Sequence, residues 1–198
     1  MFTGIVEETG KITGISKQNS NTIINVSCSF IDELKINQSV CHNGICLSVF
    51  EIKDRYYQVC AVKETMEKSN LDYLEIGSLI NLERCMKVGD RFDGHFVQGH
   101  VDCTLDCVRV EDLNGSWKFS FKFDKAHQKY LIPQGSISIN GVSLTISKIN
   151  TEKNYFNVDI IPYTFKNTNL KNIEKNSTVN IEFDILAKQI ANLNYFKS

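Results

Sequence analysis

Hydrophobic and polar residues alternate along several short stretches of the chain. In the clearest stretch every second residue is aromatic: Trp117, Phe119, Phe121 and Phe123. A period of two places these rings on one face of a β-strand and the polar residues on the other. Further strands are predicted from β-branched and aromatic runs bounded by Asn, Gly, Asp and Lys clusters: residues 22–28, 56–62, 79–84, 155–161 and 178–184.

The chain contains a long internal repeat. Residues 39–49 return as residues 136–146, displaced by 97 positions in a chain of 198. Shorter matches extend the repeat at displacements of 95 to 99: residues 4–6 with 99–101, 63–65 with 162–164, and 81–83 with 180–182. The correspondence therefore covers nearly a whole module, and the chain contains two copies of it.

From the length of the repeat we expect about six strands in each module, and closing such a sheet on itself removes its exposed edges. We therefore predict an all-β fold of two tandem six-stranded Greek-key barrels. The boundary is placed at residue 95, which gives an N-terminal barrel over residues 1–95 and a C-terminal barrel over residues 96–198.

The C-terminal end shows a helical period instead. Leu186, Ile190 and Leu193 recur at i, i+4 and i+7 among good helix formers, which predicts an amphipathic helix over about residues 185–198. Its narrow apolar stripe suits packing on the chain's own barrel and self-association about equally, and the sequence leaves both open.

Composition narrows the class of protein. The chain is 42% hydrophobic and 23% charged, with a net charge of −1, which is ordinary for a globular protein and gives no attraction to nucleic acid. It lacks a membrane-spanning run and a signal peptide at its start. We expect a cytoplasmic protein with neither a membrane nor a nucleic-acid partner, and its seven cysteines are expected to be free thiols.

The candidate chemistry lies where the two copies differ. Cys46 stands opposite Ser143, His100 opposite Ile5, and Asp184 opposite Cys85 in the repeat. Cys46 follows a predicted tight turn and is either a nucleophile or a small buried hydrophobic residue. His100 follows a glycine and is a candidate for proton transfer near neutral pH.

Small polar side chains are repeated in both modules. Cys46 with Ser48, and Ser143 with Thr145, lie two residues apart and share a strand face. Such a pair suits a polyhydroxylated ligand or the edge of a heterocycle, and it also suits simple pairing with the backbone. The repeat alone does not separate these two roles.

The sequence predicts neither a metal nor a nucleotide cofactor. His95, His100, Cys103 and Cys107 match no zinc spacing. The chain has no phosphate-binding loop of the Gly-x4-Gly-Lys type and no dinucleotide fingerprint.

Three ordered stretches together resemble riboflavin synthases of the alpha-chain type: MFTGIVE at residues 1–7, NLER leading to GHFVQGHVD over residues 81–102, and NGVSLT at residues 140–145. The resemblance implies a transferase that moves a four-carbon unit between two molecules of 6,7-dimethyl-8-ribityllumazine. The products are riboflavin and 5-amino-6-(D-ribitylamino)uracil, in the last step of riboflavin biosynthesis, with no added cofactor. It also implies a homotrimer held by the C-terminal helices, active sites between neighbouring subunits, and an association with lumazine synthase.

The resemblance assigns two half-sites. The N-barrel half-site comprises Gly4, Ile5, Val6, Ser39, Cys46, Leu47, Ser48, Cys60, Ala61, Val62, Lys63, Glu64 and Thr65. The C-barrel half-site comprises Gly99, His100, Val101, Gln134, Ser143, Leu144, Thr145, Ile161, Pro162, Tyr163, Thr164, Phe165 and Lys166. His100, Cys46, Ser143 and Asp184 are the residues expected to carry the chemistry.

The chain departs from the family at two of these positions. Gln134 stands where members carry Lys, and Tyr163 stands where they carry Glu or His. Two other functions fit the same kind of barrel: a non-catalytic lumazine- or flavin-binding antenna of the same fold, and an oxidoreductase whose small barrel docks a flavin. The second needs a nucleotide-binding domain for which this chain has no room.

Overall fold

The computed structural model describes residues 1–195, and its strands form two closed antiparallel barrels of six strands each. The first barrel has the strand order β1-β2-β5-β4-β3-β6. Its strands are β1 (Glu8–Gln18), β2 (Asn21–Ser27), β3 (Ser39–His42), β4 (Ile45–Ile52), β5 (Tyr57–Ala61) and β6 (Leu79–Arg84).

The second barrel repeats this arrangement with the strand order β10-β11-β8-β7-β12-β9. Its strands are β7 (Cys103–Asp112), β8 (Trp117–Lys122), β9 (Ser136–Ile139), β10 (Val142–Asn150), β11 (Tyr155–Ile160) and β12 (Thr178–Phe183). The predicted tandem barrels are confirmed, and each predicted strand is found within one residue at either end. The predicted boundary at residue 95 falls between β6 and β7 and stays a prediction.

Helices are few and lie between or after strands. They are α1 (Lys63–Lys68), α2 (Pro162–Asn167) and α3 (Ile185–Tyr195), with short 3-10 turns at Ile31–Glu33, Asn70–Tyr73, Lys125–Tyr130 and Asn169–Asn172. The terminal helix is confirmed over its described length, and the last three residues of its predicted range lie outside the described residues. Within residues 1–195, no helix has the length and apolar content needed to cross a membrane.

Each barrel closes around its own hydrophobic core. Ile12, Val26 and Val59 are among the fully buried residues of the first core, and the alternating rings Phe119 and Phe121 are fully buried in the second. The cysteines are all free thiols, as the sequence predicted.

The barrels meet at two Asn-Gly turns, which join β3 to β4 and β9 to β10. Asn43 and Gly44 have φ of 49° and 83°, and Asn140 and Gly141 have 46° and 76°, as a tight hairpin turn of two left-handed residues requires. A Cβ on Gly44 would lie 2.9 Å from the backbone nitrogen of Gly141. The glycines therefore allow the two turns to pack directly against each other.

A buried network of asparagine amides surrounds these turns. The side chain of Asn81 donates to the Asn140 carbonyl at 2.8 Å, and the side chain of Asn180 donates to the Asn43 carbonyl at 2.8 Å. Six asparagines from both barrels take part: Asn43, Asn70, Asn81, Asn140, Asn169 and Asn180. Because buried amides need partners, this network fixes the relative position of the two barrels.

His42 makes the stability of the first barrel dependent on pH. Its ring is fully buried between the carbonyl of Val40, at 2.9 Å, and the hydroxyl of Tyr57, at 2.7 Å. Burial lowers the pKa of His42 from 6.5 to about 4. Between about pH 4 and pH 6.5, this imidazole is therefore neutral in the folded barrel and protonated in the unfolded chain.

The free energy of unfolding is expected to fall by about 3 kcal/mol from His42 alone as pH drops from 7 to 4. Below pH 6.5 the unfolded chain binds a proton at His42 that the folded chain does not bind. The stabilisation that comes from neutral, buried His42 is therefore complete above pH 6.5 and is lost toward pH 4. Urea unfolding at a series of pH values would measure it. A His42→Gln variant that keeps the same slope over this range would contradict the assignment.

Candidate functional site

Two loops cross from one barrel to the other. The linker loop (residues 98–101) precedes the first strand of the second barrel, but it lies against the first barrel. The backbone N–H of Cys46 donates to the Gly99 carbonyl at 2.9 Å, and Val101 packs on the core of the first barrel. The segment that leads into the second barrel therefore forms part of the surface of the first barrel.

The N-terminal loop (residues 3–6) makes the reciprocal contact. The backbone N–H of Ser143 donates to the Gly4 carbonyl at 2.7 Å, and Val6 packs on the core of the second barrel. The sequence-based grouping of residues 4–6 with Cys46, and of residues 99–101 with Ser143, is therefore wrong. It assigned each loop to the barrel that follows it in the chain, whereas each loop packs on the opposite barrel.

Glycine makes this exchange possible. A Cβ on Gly99 would lie 2.5 Å from the Cβ of Cys46, and a Cβ on Gly4 would lie 2.7 Å from the Cβ of Ser143. Both glycines also have positive φ, at 82° and 77°, a region that other residues adopt only with strain. The two loops therefore approach the candidate catalytic strands as closely as a backbone can.

A cavity of about 260 Å³ opens where the linker loop meets the first barrel. It brings together the predicted residues Cys46, His100 and Thr65. The full lining is Ile45, Cys46, Glu64, Thr65, Lys68, Ser69, Gly99, His100 and Val101. Sequence reasoning missed Ile45, which precedes Cys46 on β4, and also Lys68 and Ser69, at and just after the end of α1.

The Cys46 thiol is half-buried beside this cavity. Burial raises the pKa of Cys46, and a hydrogen bond from Ser39 opposes the rise only in part. A thiol whose pKa lies above its ordinary value is mostly protonated near neutral pH, and the thiolate is the reactive form. The environment therefore favours a role for Cys46 in binding or proton donation over one as a nucleophile.

In the second barrel Ser143 has a basic partner. The Nδ1 atom of His95 lies 2.7 Å from the Ser143 hydroxyl oxygen. Burial lowers the pKa of His95, with the Asp184 charge opposing, so the imidazole is neutral near pH 7 and free to accept the hydroxyl proton. Sequence reasoning missed His95, although it follows Gly94 as His100 follows Gly99.

Asp184 has a structural contact as well as a place near His95. Its carboxylate accepts a hydrogen bond from the backbone N–H of Leu186 at 2.9 Å, at the first turn of α3. A carboxylate there satisfies a free N–H group and interacts well with the helix dipole. Asp184 therefore caps the terminal helix, and its charge acts on the pKa of the nearby His95.

Several predicted site residues lie elsewhere. Leu47, Ala61 and Leu144 are buried in the barrel cores. Gln134 is in an exposed left-handed turn, with φ of 64°, and its backbone N–H donates to Ile146. Tyr163 is 76% exposed on α2. None of these five residues lines the cavity at Cys46 and His100.

One aromatic pair distinguishes the second barrel. Phe165 on α2 stacks on Trp117 with ring centroids 3.8 Å apart and planes 3° apart. Trp117 is the single tryptophan of the chain. Its fluorescence is therefore a probe of the α2 side of the second barrel.

Among the described residues, no group of three or more His, Cys, Asp or Glu side chains is arranged to hold a metal ion.

Comparison with known proteins matches the two modules. The family described as "Lumazine binding domain" matches residues 3–85 and 98–184. A riboflavin synthase of Actinobacillus pleuropneumoniae is 36% identical, over 96% of this chain and 88% of that protein. Riboflavin synthases of Bacillus subtilis, at 36% over 95% of this chain and 87% of that protein, and of Mycobacterium tuberculosis, at 34% over 98% of both, are similar.

Solved structures share the same architecture. LumP complexed with 6,7-dimethyl-8-(1'-D-ribityl) lumazine has a TM-score of 0.83, and LumP complexed with riboflavin has one of 0.85. Both are 23% identical and cover 92% of this chain and 99% of theirs. At that identity the likeness shows the fold alone.

The paired barrels, each completed by a loop from the other, define a protein of two tandem lumazine-binding domains. Identity above 30% to riboflavin synthases runs through both domains and the segment between them. The chain belongs to the riboflavin synthase family.

Proposed function

We propose that this chain is a transferase that converts two molecules of 6,7-dimethyl-8-ribityllumazine into riboflavin and 5-amino-6-(D-ribitylamino)uracil. The observation that carries the proposal is the pair of equivalent pocket positions with different chemistry. Cys46 and His100 meet at one position, and Ser143 and His95 meet at the other. Two equivalent sites, one at Cys46 and one at Ser143, suit two copies of one compound, and their differences suit the two roles that the copies must take.

The side chains support a division of labour. His100 borders the first pocket, where we propose that it accepts a proton from the acidic 7-methyl group of one lumazine. In the second pocket, the Ser143 oxygen adds to the ring of the other lumazine while its proton passes to Nδ1 of His95. Most of the rate enhancement would come from holding the two heterocycles in register, and proton transfer would contribute a factor of about 10² to 10⁴.

We propose that the remaining pocket residues bind rather than react. Thr65 is half-buried at the start of α1 and would hydrogen-bond the pyrimidinedione edge, as Thr164 would in the second barrel. Glu64 forms an ion pair with Lys68 at 2.7 Å and would accept hydrogen bonds from the ribityl hydroxyls. These roles suit a neutral, polyhydroxylated ligand.

The terminal helix supports self-association. Leu186, Ile190 and Leu193 are 59%, 57% and 61% exposed, whereas Ala187 on the opposite side is buried. Lys188 holds the helix to its own barrel through Asp102 at 2.9 Å. The apolar stripe therefore does not pack on the chain's own barrel. We propose that it packs against two further copies of this chain in a homotrimer, with each active site between neighbouring subunits.

An Ile190→Glu variant is expected to be monomeric and to lose most of its riboflavin formation, because a charge in the centre of the stripe opposes burial of the helices against each other. Light scattering after size exclusion would give the mass, and circular dichroism would check folding. Gln189→Glu, which adds the same charge at a neighbouring exposed position, should remain trimeric. A trimeric Ile190→Glu protein would contradict the assembly.

Two further proposals are a cytoplasmic location, expected from the composition, and an association with lumazine synthase, implied by the resemblance to the family. Neither is needed for the chemistry. Cell fractionation, and co-purification with lumazine synthase from the same source, would test them separately.

The function is tested by incubation with 6,7-dimethyl-8-ribityllumazine alone, following riboflavin fluorescence. We expect riboflavin to form without any added cofactor. Quenching of Trp117 fluorescence would report binding independently of turnover. Tight binding without product would favour the antenna function and would overturn the proposed transferase.

A further inference from the structure

Two buried carboxylates occupy equivalent positions of the repeat. Glu83 on β6 and Glu182 on β12 lie 99 residues apart and are 5% and 2% exposed. Burial raises the pKa of both. A buried carboxylate is costly unless it is well hydrogen-bonded, so the partners of these two groups identify what the fold gains from them.

All three direct partners of Glu182 are in the linker loop. Its carboxylate accepts hydrogen bonds from the backbone N–H groups of Gln98 at 2.6 Å, Gly99 at 2.9 Å and His100 at 2.9 Å. The carbonyl of Gly99 accepts from Cys46 on the other side. The loop is therefore held between a carboxylate of the second barrel and the candidate catalytic strand of the first.

Glu83 holds the N-terminal loop in the same way. It accepts hydrogen bonds from the Thr3 N–H at 2.6 Å, the Thr3 hydroxyl at 2.7 Å and the Gly4 N–H at 2.9 Å. The Gly4 carbonyl then accepts from Ser143. In both barrels, a single carboxylate fixes the segment that packs on the opposite barrel.

We propose that Glu182 and Glu83 are positioning residues, which hold His100 in the Cys46 pocket and the Ile5 segment against Ser143, respectively. Charge-assisted hydrogen bonds are short and directional, and three of them on one carboxylate leave the loop little freedom. The role rests on the proposed transferase function, because positioning is measured through turnover.

The two residues differ in what they position. Glu182 acts through His100, a side chain able to move a proton, whereas Glu83 acts through Ile5, which cannot. Both carboxylates accept three hydrogen bonds from a loop. A purely structural role would therefore affect the two variants alike, and a positioning role would connect only Glu182 to His100.

The test is a double-mutant cycle on kcat. In Glu182→Gln one acceptor oxygen becomes an amide that faces N–H donors, so kcat is expected to fall at least tenfold. In a His100→Ala background the same change should have little further effect, because the group that it positions is gone. Glu83→Gln should keep its full effect in that background.

Two further variants keep the test decisive. Glu174→Gln removes one negative charge from an exposed position of the second barrel and should leave kcat unchanged. If Glu182→Gln does not fold, Glu182→Asp keeps the charge and shortens its reach, and the same cycle applies to it.

Equal and additive effects of Glu182→Gln and Glu83→Gln in the His100→Ala background would overturn the proposal and leave both carboxylates with a structural role only. A fully active His100→Ala protein would overturn it as well. If the wild-type protein itself forms no riboflavin, the proposed function fails first, and the two failures are distinguished by that control.

Discussion

Replacement of Gly99 by alanine is expected to lower riboflavin formation by about a hundredfold, because displacement of a reacting group by about 1 Å has an effect of this size. The added Cβ would lie 2.5 Å from the Cβ of Cys46 and 2.7 Å from its backbone nitrogen. Cys46 is held by β4, so the linker loop must move. That movement carries His100 away from the pocket.

Gly89→Ala is the matched control. Gly89 has a φ of 96°, and a Cβ there would have no neighbour within 4 Å. It shares the backbone strain of Gly99→Ala, about 1 to 2 kcal/mol, without the clash. Turnover and the unfolding midpoint should be measured for both. A Gly99→Ala protein as active as Gly89→Ala would show that close contact between the loop and Cys46 is not required.

His100→Ala is expected to reduce kcat by about 10² to 10⁴, the usual contribution of a positioned proton-transfer group. Binding should change less, because His100 is one of several residues that line the pocket. Steady-state kinetics would separate the effect on kcat from that on KM.

Ile5→Ala is the control at the equivalent position of the N-terminal loop. It shortens a side chain of the N-terminal loop without removing a titratable group, so a change in KM with kcat largely kept is expected. A His100→Ala variant that resembles Ile5→Ala in both parameters would remove His100 from the proton-transfer step.

The barrels could be predicted because the patterns that specify their strands are local in the sequence. Alternation with a period of two defines strands such as Trp117–Lys122, and the repeat shows that the same set of strands occurs twice. The short helices α1 and α2 were not predicted. Six residues are too few for a clear helical period, although Pro162 stands at the first helical position, where proline is favoured.

The exchange of loops was not predictable from the same patterns. Residues 4–6 and 99–101 are equivalent in the repeat, but nothing in their sequence states which barrel they contact. That choice depends on tertiary packing of Gly4 on Ser143 and Gly99 on Cys46. The repeat of Glu83 as Glu182 was visible, yet its role appears only when the carboxylates are seen to accept the N–H groups of these loops.

The terminal helix could be predicted from the sequence only in part. Its period predicted the stripe of Leu186, Ile190 and Leu193, and the sequence left its partner open. The exposure of all three side chains on α3 removes the chain's own barrel as that partner. A period identifies an apolar face, but only packing identifies the surface that covers it.

We propose that two equivalent sites hold one compound in two roles. It is tested most directly by the stoichiometry of the reaction with 6,7-dimethyl-8-ribityllumazine as the sole substrate, with all three compounds quantified by chromatography over one time course. We expect two lumazines to disappear for each riboflavin formed, with riboflavin and 5-amino-6-(D-ribitylamino)uracil in equal amounts. Riboflavin formed without an equal amount of 5-amino-6-(D-ribitylamino)uracil would contradict the proposed reaction.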